Sequence, residues 1–100
     1  MIAAAAAQAT PPACYADIRA YYQNQLLDSK LRVHVYQAHG YAVAAWSTRH
    51  TAGEGVFRRA GNAWCKIVSG GGVLDENGLV RYGVPRDVAQ QLVAQVSVAR

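Results

Sequence analysis

Apolar residues recur at spacings of three and four between residues 13 and 27, where Ile18, Tyr21, Tyr22 and Leu26, together with Gln25, fall on one stripe. That period is the mark of an amphipathic helix. The prolines ahead of "ACYADI" stand where a first turn tolerates them, so a first helix is expected over residues 13 to 27. The pattern weakens at Asn24 and at Asp28-Ser29, and then its period changes. In "LRVHVY" Leu31, Val33 and Val35 alternate with Arg32, His34 and Tyr36, which predicts a strand over residues 31 to 37 with two unlike faces.

"AHG" reads as a loop leading into a second β-rich stretch, "YAVAAWST". With that loop length Gln37 is expected opposite Tyr41, which sets Arg32 against Trp46 and His34 against Ala44. Further on, "EGVFRRA" and "AWCKIVS" are separated by Gly61-Asn62, a favoured two-residue hairpin turn, so Ala60 is expected to pair with Ala63. This register places Val56, Arg58, Cys65 and Ile67 on one face and Phe57, Arg59, Trp64, Lys66 and Val68 on the other. The first of these faces is expected beneath the first helix. After Val68, "SGGG" reads as a turn or a loop of close approach, because glycine adds no side chain to a strand's packing. Neither phosphate-binding spacing, G-x-x-x-x-G-K-[ST] or G-x-G-x-x-G, is present.

"LDENGLVRYGVPRDVAQQLVAQV" predicts two short helices, with Gly83 ending the first and Pro85 near the first turn of the second. Leu74, Leu79, Val80, Val88, Leu92 and Val96 supply their apolar face. The rhythm is that of a DNA-binding helix-turn-helix. The second helix, however, offers only Arg86, Asp87, Gln90 and Gln91 as polar groups and no cluster of phosphate contacts, so a helical pair packed on the sheet is expected instead.

Together these elements predict an α+β fold: an N-terminal helix packed on a four-stranded antiparallel meander, reminiscent of cystatin-like sheets, followed by a C-terminal helical hairpin. A single domain is expected over residues 12 to 100, and a mobile arm over residues 1 to 11. "MIAAAAAQATPPA" has no positive n-region and no long apolar core, so it is not an intact signal peptide; it has the form of a mature start behind an initiator Met.

Composition narrows the partner more than the fold. Hydrophobic residues make up 52% and charged ones only 16%, below the usual ~25%, yet no apolar run approaches the ~20 residues of a membrane span. The net charge of +4 permits an anionic partner, but the basic residues are scattered between Arg19 and Arg100 with no lysine cluster, and nucleic acid is not expected as a partner.

Two cysteines, Cys14 and Cys65, lack the spacing of a zinc site, which leaves a disulfide or two unrelated thiols. A disulfide is expected, since Cys14 opens the first helix and Cys65 lies on the face that helix should cover. Three histidines, His34, His39 and His50, are weak metal candidates: they sit on a strand and two different loops, with no i,i+4 pair. Met1 is the only methionine, so no thioether copper site is expected, and no cofactor is expected either. The carboxylates Asp17, Asp28, Glu54, Asp75, Glu76 and Asp87 read as helix surfaces and turns, and no spacing proposes a catalytic triad. An enzyme is not expected.

The order of "YAVAAW", "GEGVFRRAGNAWCKIVSGGGVL" and "LVRYGVPRDVAQQLV" resembles a group of small exported bacterial proteins of poorly known function, some associated with copper uptake. The resemblance covers residues 41 to 93 and rests on Trp46, Arg58, Arg59, Trp64, Gly70, Gly71, Gly83 and Pro85. Where the group often carries a cysteine before its glycine-rich turn, this chain has Ser69. The resemblance implies a periplasmic or secreted location and a connection to copper.

The resulting expectation is an exported, non-enzymatic binding or accessory protein. The alternatives are a periplasmic copper-handling protein and a DNA-binding module built on the helix-turn-helix-like segment. The inferred registers place Arg32, Tyr36, Trp46, Phe57, Arg59 and Trp64 on one sheet face, with Arg59 stacked on Trp64 or Arg32 on Trp46. That face is either buried by the C-terminal helices or open to a protein partner or a second copy.

Overall fold

A computed structural model describes residues 13–99, and the expected N-terminal arm lies outside them. The chain is α+β. Its elements are β1 (Cys14–Tyr15), α1 (Ile18–Leu26), β2 (Arg32–Ala38), β3 (Tyr41–Ser47), β4 (Ala52–Ala60), β5 (Ala63–Gly71), α2 (Glu76–Arg81) and α3 (Arg86–Ala99). The strands form one antiparallel sheet in the order β1-β5-β4-β3-β2. The sheet has five strands, not the expected four, because residues ahead of the helix form β1 on the outer side of β5.

That short strand also explains why the first helix starts late. Cys14 and Tyr15 pair with Cys65 and Trp64, and Asp17, in an extended conformation, accepts a hydrogen bond from the Ala20 N–H and caps α1. A helix start is fixed by whichever side chain satisfies its free N–H groups, and here that is Asp17 rather than the prolines.

In the β2–β3 hairpin the expected register is displaced by one residue. Ala38 pairs with Tyr41 and Gln37 with Ala42, so Arg32 lies opposite Ser47 and His34 opposite Ala45. The turn holds only two residues, His39 and Gly40, with φ of 50° and 82°, the backbone of a tight hairpin turn. A one-residue slip sends each side chain to the other side of the sheet.

The second hairpin closes as expected, Ala60 on Ala63 across Gly61-Asn62. Beyond it the register shifts between Val56 and Phe57, with Val68 opposite Val56 but Lys66 opposite Phe57. Ile67 is the extra residue, a β-bulge that flips everything downstream of it. Nor does the strand stop at Val68: Ser69, Gly70 and Gly71 pair with Gly55, Glu54 and Gly53, and the turn is deferred to Gly72, whose φ is 99°.

Both sheet faces are covered. On one, Ile18 and Tyr22 of α1 pack with Val33, Ala42, Ala44, Phe57 and Trp64. On the other, Leu79, Val84, Val88, Ala89, Leu92 and Val96 of the C-terminal helical pair close over Val43 and Val56. The first helix therefore lies on the Phe57/Trp64 face, the reverse of the expected assignment, and Val68 packs with the helical pair. Between α2 and α3 the chain turns at Gly83, φ 100°, where the Gly83 N–H donates to the Val80 carbonyl and the Val84 N–H to that of Leu79.

Candidate binding site

The expected aromatic and cationic face is divided by the sheet. Arg32 and Tyr36 alternate with Val33, and Tyr36 packs on the helical-pair side. Trp46, Phe57 and Trp64 stand on the α1 side, so no Arg32–Trp46 stack forms. The Arg59–Trp64 stack does form. The Arg59 guanidinium carbon lies 5.5 Å from the Trp64 ring centroid, and Arg59 Nε donates to the Gly61 carbonyl at 3.1 Å, which holds it over the ring.

Sequence reasoning missed the continuation of this cluster. Lys66, one residue beyond Cys65, donates from Nζ to the Tyr21 hydroxyl at 3.0 Å and lies 5.3 Å from the Tyr21 ring centroid. Tyr15 of β1 stacks on Tyr21 with ring centroids 4.2 Å apart. The hydrogen bond that Lys66 donates to the Tyr21 hydroxyl raises the Lys66 pKa above its ordinary value, against a smaller opposing effect of burial. Tyr21 was visible only as a member of the helix stripe. Its role depends on β1 bringing Tyr15 beside it, and β1 exists because a two-residue segment pairs with a distant strand.

On the opposite side of β5 lies a cleft of about 230 Å³ lined by Tyr41, Arg58, Cys65, Lys66, Ile67 and Tyr82, with Gly83. Arg58 is exposed and pairs across strands with Tyr41, while Ile67 and Tyr82 expose 36% and 42% of their surface, which is high for side chains of this kind. Among the described residues no acidic side chain lines the cleft. Cations thus stand on both sides of the outer end of the β4–β5 hairpin, each beside an aromatic ring.

Cys14 and Cys65 are disulfide-bonded, and no cysteine is free. They are direct cross-strand partners of β1 and β5, with Cα atoms 3.9 Å apart. Cys65 lies on the helical-pair side, in the cleft with Tyr82, and not beneath the first helix as expected. The bridge therefore joins two strands at the sheet margin.

His34 is exposed on β2, His39 forms the β2–β3 turn, and His50 sits in the loop at the far end of β3. Among the described residues no three His, Cys, Asp or Glu side chains converge. Glu54, expected at a turn, is a 5%-exposed strand residue. It accepts the Leu74 N–H at 2.8 Å and so ties the segment after β5 to the sheet, beside a pocket of about 150 Å³ walled by Val43, Leu79, Leu92 and Val96. In the helix-turn-helix-like segment Arg86 is paired with Glu76, to which Gln90 also donates.

No helix among the described residues is long and apolar enough to cross a membrane. Comparison of the chain with family models, with curated proteins and with solved structures returns no match.

Proposed function

We propose that this chain is an exported, non-enzymatic binding or accessory protein that engages an anionic partner at the β1–β5 margin. The observation that carries this reading is the pairing of each cation there with an aromatic ring: Arg59 over Trp64, Lys66 against Tyr21. Rings of this kind hold the cations in place, and a held cation gives up less conformational freedom when it meets an anion. Tyr, Trp and Arg are also the residue types that dominate recognition surfaces. The disulfide supports export, since such bonds persist in oxidising compartments. With both thiols bonded, the chain offers no thiolate nucleophile.

Immobilised poly-L-glutamate tests the reading. The R59A/K66A double variant elutes at lower salt than the wild type, and lower than an R32A/R49A control that removes the same charge elsewhere. Equal loss in both double variants would reduce the site to net charge alone.

A further inference from the structure

Every open sheet has two edges, and this one treats them differently. On β2 the closing pair of the tight hairpin is Ala38 with Tyr41, so alternation turns the backbone groups of Val33, Val35 and Gln37 outward. Two of those three carbonyls are occupied by side chains arriving from opposite faces: Arg19 Nη1 of α1 donates to Val33 O at 2.6 Å, and Gln95 Nε2 of α3 donates to Gln37 O at 3.0 Å. That edge is closed by the protein's own helices.

Among the described residues the β5 edge is closed only at one end. β1 pairs with Trp64 and Cys65, and the Lys66 N–H donates to the Ala13 carbonyl at 2.8 Å. From Ile67 to Gly71 no strand among the described residues pairs with the outer side of β5.

The glycines of this stretch sharpen the contrast. A Cβ on Gly53 would fall 2.0 Å from the Gly70 carbonyl oxygen, and one on Gly55 the same distance from the Tyr22 hydroxyl, so packing within the chain requires both. A Cβ on Gly70 would meet nothing within 4 Å, and Gly70 is not among the residues with positive φ. Neither internal packing nor backbone conformation calls for glycine there. Glycine in a strand also marks the place where another backbone comes close.

We infer that Ile67–Gly71 accepts an added strand, and that the strand is an extended acidic peptide. The inference rests on the anionic-partner reading above and names the partner's form. Backbone hydrogen bonds along Ile67–Gly71 would supply sequence-independent affinity, while alternate side chains of the peptide reach the two sides of the sheet. On one side they meet Lys66 and, on the other, the Tyr41, Ile67 and Tyr82 cleft with Arg58. The described lining of that cleft carries Arg58 and Lys66 and no acid, which favours an acidic peptide over a basic one.

The test uses the full chain and an acetylated, amidated octapeptide of alternating Val and Glu, with two controls: the Val/Lys counterpart, and the Val/Glu peptide methylated on alternate backbone nitrogens. Backbone amide exchange is followed residue by residue. Saturating Val/Glu peptide slows exchange within Ile67–Gly71 by at least ~10-fold, and both control peptides bind at least ~10-fold more weakly. Equal binding of the N-methylated peptide, or no binding of the Val/Glu peptide, overturns strand addition. So does protection, already present in the free monomer, of those Ile67–Gly71 amides that point away from β4, which assigns the edge to the chain's own N-terminal residues, or its appearance with concentration-dependent dimerisation, which assigns it to a second copy. If R59A/K66A abolishes peptide binding while Ile67–Gly71 stay unprotected in the wild-type complex, strand addition fails and the anionic-partner reading stands. If R59A/K66A leaves peptide affinity unchanged, that reading fails itself.

Discussion

The hydroxyl of Tyr22 on α1 lies 2.8 Å from the hydroxyl of Ser69 on β5, in the space left by the missing side chain of Gly55. The helix reaches the sheet at this point because two adjacent strands yield room for one ring. Phe57 borders the same ring edge-on at 6.1 Å and Trp46 stacks on it at 6.2 Å.

Filling that space is therefore expected to be worse than deleting the hydrogen bond. Gly55→Ala forces Tyr22 aside and costs about 1–3 kcal/mol, as overpacking does in closely packed cores. Tyr22→Phe removes only the hydroxyl and costs about 0.5–1.5 kcal/mol. Urea unfolding of the two variants beside the wild type checks the order; a Gly55→Ala protein as stable as the wild type would mean that Tyr22 relocates freely.

Alkaline pH should loosen the same contact. Burial raises the Tyr22 pKa above its ordinary 10.0, with the Ser69 hydrogen bond opposing in part. A group whose pKa is raised on folding contributes stability that is complete below the unfolded value and is lost as pH rises through the folded one. Lys66, also raised, acts in the same direction. Stability is thus expected to fall as pH climbs above ordinary tyrosine ionisation, with a shallower fall in Tyr22→Phe, as measured by denaturant midpoints across the alkaline range.

Removing the disulfide should be among the costlier changes. The bridge closes a separation of 51 residues, and the chain-entropy model assigns about 4 kcal/mol to a loop of that length. The C14S/C65S protein is expected to lose between about 2 and 5 kcal/mol, with β1 released from β5 as its Cys14 anchor goes. Guanidinium unfolding gives the first quantity, and amide exchange at Lys66 reports the second.

Opening the guarded edge is a prediction of a different kind. Arg19→Ala and Gln95→Ala each cost only about 0.5–1.5 kcal/mol, but each uncovers a backbone carbonyl of β2. An exposed edge templates pairing with other chains. The double variant should show a sedimentation coefficient that rises with concentration while the wild type's does not; identical sedimentation would mean that the two side chains do not protect the edge.

How much of this was legible follows from where each piece of information lies along the chain. Strand and helix identities, the Ala60–Ala63 closure and the Gly83 terminus are local, set by residues within a turn of one another, and the sequence pattern carries them. Two small local ambiguities then spread. Reading "AHG" rather than His39-Gly40 as the turn moved Arg32 and Tyr36 across the sheet, and the bulge at Ile67 moved Val68. Alternation has a period of two, so an error of one residue becomes an error of a whole face. The exchange of helix faces has a separate source: Cys14 stands in β1 and not at the start of the helix, so its bond to Cys65 does not bring the helix over that face. The Arg59–Trp64 stack survived because both residues lie close to a turn of known length. Lys66 with Tyr21 and Tyr15 was out of reach, since β1 is too short for any periodic signal and forms only against a partner fifty residues away.

The two clips on β2 also impose an order on biosynthesis. Arg19 precedes the strand it guards, whereas Gln95 follows Gln37 by 58 residues and lies in the last helix. As a chain emerges from its N-terminal end, β2 can pair with β3 well before α3 exists. Throughout that interval one end of the hairpin is left able to zip onto a neighbouring nascent chain. The final turns of α3 act as a late seal, and a chain stalled or clipped before Gln95 would be sticky even with every strand in place.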